Sequence, residues 1–320
     1  MKKFIYILSL VTLFSCEAPH ENPLDPFNGT SQLTHFYGSV VTISFPREKI
    51  SEALIIWRNE NKSVLSDRDG EFSLEISKKV NGWLVCQKEG FFPDSVFIDW
   101  GKFSGQEILF SLNQKTTLQD FSMITSVVFF NDSTQSQTMI INVNLADRDK
   151  DIDSVALTCG ELNFRKELLF NTSTGMWTVS VTPFDFEDIV SFEQAVGKEF
   201  DVFVRDYNGR EITLIGGGIT RVITLMPVLL SPREDETVQV PFTVSWEKYP
   251  AQFEFTYKIQ IYRNEVPPQL VFEKANIEKS QTEISVENDL PQSNYMCTLE
   301  VKDEYGNKVR SKPNAFKIEN

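Results

Sequence analysis

Apolar and polar residues alternate along most of this chain in short runs, spaced by about eight to twelve residues with turn-forming residues between them. The first series is Val40–Ile43, Ala53–Trp57, Phe72–Ile76, Trp83–Cys86, Val96–Ile98 and Ile108–Phe110. A second comprises Val127–Phe130, Met139–Val143, Ser154–Leu157, Trp177–Val181 and Phe200–Val204, the last leading through Asp206-Tyr207-Asn208-Gly209 into Glu211–Leu214. A third holds Val244–Trp246, Tyr257–Tyr262 and Tyr295–Val301. Strands this short and this regular predict sandwiches or barrels, and only Phe186–Ala195 admits a helical reading. The expected fold is all-β, with three tandem β-sandwich domains at 33–114, 115–225 and 226–320.

Local patterning adds detail. By the period-two rule Tyr295, Cys297, Leu299 and Val301 share one face, so Cys297 is expected in a core. Asp67-Arg68-Asp69-Gly70 before Phe72 predicts a tight turn in which Gly70 takes positive φ. Val301-x-Asp303-x-x-Gly306 repeats Val204-x-Asp206-x-x-Gly209, one hairpin used twice, as expected of tandem sandwiches. Gly216-Gly217-Gly218 has no Gly-Lys-Ser/Thr after it, so it predicts a bend or a joint and not a phosphate cradle.

The start of the chain has a different pattern. Met1-Lys2-Lys3 precedes the apolar run Phe4–Phe14 and then Ser15-Cys16, the layout of a secretory signal too short for a spanning helix. Leu13-Phe14-Ser15-Cys16 resembles the lipobox of bacterial lipoproteins, with Phe14 departing from the small residue usual there. The resemblance implies a signal peptide at 1–15, lipid attached at Cys16, and a lipid anchor of three acyl chains. Each buried methylene of such a chain contributes about 0.8 kcal/mol, so several chains hold firmly where one does not. The alternative is an ordinary signal peptide with an incidental cysteine. With Glu17 after the cysteine in place of the aspartate that favours inner-membrane retention, the resemblance further implies the outer membrane or cell surface of a Gram-negative bacterium. The proline-rich stretch at 16–32 predicts a tether spanning roughly 40 to 50 Å if extended.

Three family resemblances cover the rest. Gly38-x-Val40, Ala53, Ser66-Asp67-x-Asp69-Gly70-x-Phe72 and Lys88-x-Gly90-Phe91-Phe92 resemble the carboxypeptidase regulatory-like, transthyretin-type sandwich, an accessory and usually non-catalytic module. The block at 115–225 is similar to bacterial immunoglobulin-like domains. Residues 226–320 resemble a fibronectin type III domain, Trp246 matching its core tryptophan and Tyr295 its tyrosine corner.

Composition narrows the chemistry. A net charge of −14 with a pI near 4.7 excludes nucleic acid as a partner, because phosphate binding needs clustered Lys and Arg. Beyond Cys16 the cysteines are Cys86, Cys159 and Cys297, without CxxC spacing, and are expected as buried thiols acting as small hydrophobes. The two histidines, His20 and His35, fall in the tether and at the edge of the first domain, poor positions for a catalytic base. Asp185, Glu187 and Asp188 are expected as a solvated loop, and the chain as no enzyme, without catalytic residues. Asp147, Asp149, Asp151 and Asp153 place carboxylates at alternate positions, a spacing that can gather oxygen ligands around a structural Ca²⁺ ion. Arg148 and Lys150 between them favour the simpler reading, an acidic hairpin. Trp57 and Trp100 near turns are the candidates for stacking on a glycan, whereas Trp83 and Trp177 within apolar strands are expected in the core. The function expected is a non-catalytic, lipid-anchored envelope or surface protein that binds or spaces protein partners. The alternatives are a glycan-binding lipoprotein and an accessory chain of an exported enzyme.

Overall fold

The computed structural model describes residues 34–287 and 290–319. The chain is all-β, and its described helical segments are four short 3₁₀ turns, of which Phe192–Ala195 is the part of the expected helical stretch that forms one. It divides into two compact units, with the boundary between Lys115 and Thr116.

The first unit has strands β1 (Thr34–Thr42), β2 (Leu54–Trp57), β3 (Lys62–Leu65), β4 (Glu71–Ile76), β5 (Gly82–Gln87), β6 (Asp94–Ile98) and β7 (Ile108–Leu112). They form a three-stranded sheet β4-β1-β7 and a four-stranded sheet β3-β2-β5-β6. Between the sheets lie Phe36, Val40, Ile55, Trp57, Leu84, Cys86 and Phe110, all fully buried. Close approach of the backbone needs Gly38 and Gly70: a Cβ on Gly38 would sit 1.8 Å from the Ile108 carbonyl, and one on Gly70 2.7 Å from that of Val40. The 3₁₀ turn Arg58–Glu60 carries a buried carboxylate. Glu60 accepts the backbone N–H groups of Ser77 at 3.0 Å and Lys78 at 2.6 Å, and Lys62 Nζ lies 3.4 Å away.

The second unit begins with β8 (Thr117–Phe129), β9 (Gln135–Ala146), β10 (Ile152–Cys159), β11 (Phe164–Asn171), β12 (Met176–Val181), β13 (Phe200–Asp206) and β14 (Glu211–Gly217). It continues with β15 (Leu229–Ser231), β16 (Glu236–Val238), β17 (Phe242–Trp246), β18 (Phe255–Arg263), β19 (Gln269–Glu278), β20 (Glu283–Val286), β21 (Ser293–Asp303), β22 (Lys308–Arg310) and β23 (Asn314–Ile318). Two apolar cores fill this unit. One gathers Met139, Ile141, Val143, Val155, Leu157, Phe192, Phe200 and Val202. The other packs Val244, Trp246 and Val286 of the sheet β15-β17-β20 against Tyr257, Ile259, Tyr295, Cys297 and Leu299. Tyr295 Oη donates to the Pro291 carbonyl at 2.6 Å, the bond its tyrosine-corner pattern implied. Trp246 is 1% exposed, edge-on to Tyr257.

One hydrogen-bonded path, β14-β13-β10-β11-β12-β9-β8-β22-β21-β18-β19, runs past both cores. Its crossing point is the parallel pair β8 and β22, with Val309 opposite Val127, whose side chain lies in the second core. The position expected as a domain boundary, 225/226, therefore lies inside one compact unit. At the crossing Asn307 is completely buried. Its Oδ1 accepts the Thr125 N–H at 2.9 Å, and its Nδ2 donates to Thr220 Oγ1 at 3.0 Å and Asp303 Oδ2 at 3.1 Å. Arg221 donates to the same Asp303 oxygen at 2.8 Å and lies over the Phe253 ring. Of the three glycines at 216–218, Gly216 and Gly218 are packing requirements. A Cβ on Gly216 would meet Phe121 at 2.9 Å, and one on Gly218 the Lys198 carbonyl at 2.6 Å.

Two expected outcomes follow from these buried polar groups. Asn307→Leu leaves the buried Thr125 N–H without its partner, a loss worth about 1–3 kcal/mol, and takes one bond each from Thr220 and from Asp303, which keeps Arg221. Hydrogen exchange read by mass spectrometry should speed up on strands β8, β21 and β22 and stay unchanged at 34–115; unchanged exchange throughout would refute the role given to Asn307. For Glu60, burial pushes the carboxyl upward, but the bonds from Ser77 and Lys78 outweigh it and hold the group below its ordinary value of 4.5. A depressed folded pKa stabilises fully above that ordinary value, and the contribution fades as pH falls through the lower folded one. The stability gap between wild type and Glu60→Gln, measured by urea unfolding, is therefore expected to be widest near neutral pH and to close in acid.

Candidate functional site

Strand parity decides which aromatics reach solvent. On β5 the side chains of Leu84 and Cys86 face the core, so Trp83, Val85 and Gln87 point outward. Register places Trp83 directly opposite Phe97 of β6, ring centroids 5.2 Å apart and edge to face. Trp83 is 53% exposed and Phe97 49%. Leu54 and Ile56 of β2 lie on the same outer face, with Leu65 of β3 opposite Leu54 and also exposed. An apolar stripe thus crosses the outside of the sheet.

Beside Trp83 opens a shallow cleft of about 450 Å³ edged by Arg58, Asn59, Gln87, Asp94 and Ser95. Its rim is fixed by the backbone. Asn59 Nδ2 donates to the Asn81 carbonyl at 2.9 Å, Asn81 Oδ1 accepts the Trp100 N–H at 2.9 Å, and a Cβ on Gly82 would collide with the Asn59 amide at 2.5 Å. Asp94 is occupied structurally, accepting the N–H groups of Ser95 and Ser111. Arg58, Asn59 and Gln87 are exposed. The surface can make apolar contact through two aromatic rings and donate hydrogen bonds from a guanidinium and two amides.

The tryptophans singled out from sequence are corrected. Trp57 is wholly buried and packs edge-on against Phe36, so no ligand can stack on it. Trp100 is half-buried, stacked on Phe36 and edge-on to Phe103. Trp83, expected in the core, is the exposed one, and Trp177 is half-buried against the exposed Phe170. The apolar run Trp-Leu-Val-Cys concealed the parity. Gln87, two positions beyond Val85, was the signal that this register faces water.

The acidic stretch forms a turn. Asp147 accepts the N–H of Asp149 at 3.2 Å and that of Asp151 at 2.9 Å, and Lys150 adopts positive φ. Asp153 pairs with Arg205 at 2.8 Å, and Asp151 Oδ2 takes a bond from Asn208 at 3.3 Å. The structure does not bring Asp147, Asp149, Asp151 and Asp153 together around a common point; among the described residues no cluster of three or more acidic, His or Cys side chains is arranged for a metal ion. In the other acidic loop Asp185 is bound by Lys166 at 2.7 Å and caps its own turn at Thr182, which lowers its pKa. Cys86, Cys159 and Cys297 are buried free thiols, and burial pushes Cys86 and Cys297 up to about 12, Asp94 adding to the shift at Cys86. His35 is exposed on β1. Cys16 and His20 lie outside the described residues.

Neither a protein-family model nor a curated protein sequence matches the chain. Among solved structures it is similar to the fibronectin(III)-like modules of CbhA from Clostridium thermocellum, at TM-score 0.32 and 10% identity over 64% of this chain and 93% of that one. It is also similar to the FN1-FN3 domains of chicken CNTN1, at TM-score 0.33 and 10% identity over 85% and 92%. A third is BcpA, the major pilin subunit of Bacillus cereus, at TM-score 0.26 and 11% identity over 89% and 96%. The sandwich assignment itself rests on the strand pairing and the cores.

Two substitutions separate exposed from buried tryptophan. Trp57→Ala is expected to cost roughly 3–5 kcal/mol, whereas Trp83→Ala should stay within about 0.5 kcal/mol of wild type. Denaturant unfolding measures both, and a large loss at Trp83 would contradict its placement.

Proposed function

We propose that this protein is a non-catalytic binding module, carried on a lipid anchor at the outer membrane or cell surface of a Gram-negative bacterium, that engages a protein partner. The observation that carries the proposal is the solvent-facing Trp83–Phe97 pair on a stripe that also includes Leu54, Ile56 and Leu65. Large exposed aromatic side chains set in an apolar patch with a polar rim are where binding energy concentrates in protein interfaces. The anchor reading is supported by Met1-Lys2-Lys3, the apolar run and Leu13-Phe14-Ser15-Cys16. A carboxypeptidase regulatory-like identity for the first unit is supported by the Asp67 turn, whose Oδ1 accepts the N–H groups of Asp69 and Glu71, and by Gly70 against Val40.

A second reading is favoured by one specific feature. The cleft beside Trp83 combines an indole face with the guanidinium of Arg58 and the amides of Asn59 and Gln87, groups that suit a sugar's ring and hydroxyls. Glycan capture would use this same face.

Three measurements test these readings. Cys16→Ser should move the protein from the membrane to the soluble fraction; continued membrane association would rule out the anchor. A photo-reactive phenylalanine analogue at position 97 in intact cells should give one dominant protein adduct, abolished by Trp83→Ala. Retention on polysaccharide gels, lost in Trp83→Ala and without an adduct, would select the glycan reading. If Trp83→Ala behaves like wild type in both assays, this face is not the binding surface.

A further inference from the structure

A second recessed site lies in the other unit, on the outer face of the sheet where β8, β22, β21 and β18 run side by side. It is a cleft of about 250 Å³ walled by Phe129, Phe130, Tyr262 and Met296, with Thr298 and Arg310 among its lining residues. Tyr262 and Met296 are cross-strand neighbours. Phe130 is 56% exposed at the mouth. Thr298 is 5% exposed, and its hydroxyl is fully covered without a hydrogen-bond partner. The Nε of Arg310 is likewise covered and unpartnered.

Two such polar atoms in an apolar cleft run against the rule that buried polar groups are satisfied, and each unpaired group costs free energy in the empty site. The cross-strand register makes the case of Arg310 sharper. It stands directly opposite Glu300, an acid on the same face and therefore its natural partner. Glu300 instead pairs with Lys258 at 3.5 Å and Lys308 at 4.0 Å. Glu273, the next acid on that face, is held by Gln260 at 2.7 Å and lies 3.9 Å from Lys258. The nearby Asp132 is paired with Lys312 at 2.7 Å. In a chain of net charge −14 this cationic group has been left over beside a buried hydroxyl and a set of aromatic walls.

We infer that this cleft binds a carboxylate attached to an apolar, preferably aromatic, group. One guanidinium neutralises one carboxylate and can hold it through two parallel bonds from its terminal nitrogens, while the Thr298 hydroxyl, covered in the empty site, can donate a further one once its side chain turns toward the acid. A phosphate would bring a second charge for which the cleft has no cation. The walls of Phe129, Phe130, Tyr262 and Met296 suit an aromatic or long aliphatic side chain. The volume is below the roughly 300–1,000 Å³ of sites for drug-sized molecules, which fits a single side chain with its acid group. Two sources share that chemistry: the C-terminal residue of a polypeptide, and a free aryl-alkyl acid.

Isothermal titration of the full chain distinguishes them, using acetyl-Ala-Ala-Phe with a free carboxylate, the same peptide as its C-terminal amide, and 3-phenylpropionate. The free-acid peptide is expected to bind at least tenfold more tightly than the amide, since a charge-assisted pair is lost. Binding of the peptide alone would identify a polypeptide C-terminus; equal binding of 3-phenylpropionate would identify a free acid. Arg310→Met should abolish binding while the melting temperature shows the protein still folded. Thr298→Val gives a second, independent readout: it removes an orphaned hydroxyl, so it should leave the free protein as stable or more so while weakening the carboxylate probes severalfold. Equal affinity for acid and amide, no binding at millimolar probe, or binding untouched by both substitutions would each overturn the inference.

Discussion

The buried amide of Asn307 is the constraint on which the larger unit depends. A side chain with no exposure must find a partner for every polar atom, and Asn307 finds its partners on three separate segments: Thr125 on β8, Thr220 in the connection after β14, and Asp303 at the end of β21. Displacing any of these segments would bury an unpaired group. Arg221 ties the same point down from above, bound to Asp303 and lying over Phe253. Such a network specifies one arrangement more sharply than apolar packing, which tolerates sliding. Here it fixes β22 against β8 and so lets one hydrogen-bonded path pass beside two cores.

The same side-chain chemistry builds the turns. Asp67, Asp147, Asp206 and Asp303 each accept the N–H groups of the second and fourth residues after them. The carboxylate takes the place of a backbone acceptor, and the residue between those donors turns left-handed. That residue is Gly70, Gly209 and Gly306 in three cases and Lys150 in the fourth. The stretch that alternates acid and base is therefore a version of the turn used elsewhere, made with a non-glycine residue, with Asp147 bound to backbone, Asp151 to Asn208 and Asp153 to Arg205.

Both surfaces that could hold a ligand belong to outer sheet faces, where the core does not dictate the residue. On the four-stranded sheet of the first unit the outward register carries Trp83 and Phe97. On the long sheet of the second it carries Tyr262, Met296, Thr298 and Arg310. Sandwich cores are filled from the inner faces, so exposed aromatics and an unmatched arginine on the outer ones are not explained by core packing, and the two proposals rest on them.

The sequence alone determined the all-β class, the positions of most strands, the tight turns at Asp67, Asp206 and Asp303, the burial of the three cysteines and the core places of Trp246 and Tyr295. These features are local: period-two alternation, an aspartate followed by glycine, an aromatic flanked by apolar residues. Strands β3, β11 and β19 escaped such reading because their polar and apolar residues do not alternate cleanly, and β15, β16, β20, β22 and β23 because each is a short run of three to five residues. Only the tertiary structure decided which face of an apolar run meets water, since in Trp83–Cys86 both parities are hydrophobic and the choice is made by what packs across the sheet. It alone placed Trp57 inside and Trp83 outside, joined 116–320 through a pairing between strands far apart in the chain, and set Arg310 opposite an acid already taken by two lysines. Those outcomes depend on long-range register, and no short window of sequence contains it.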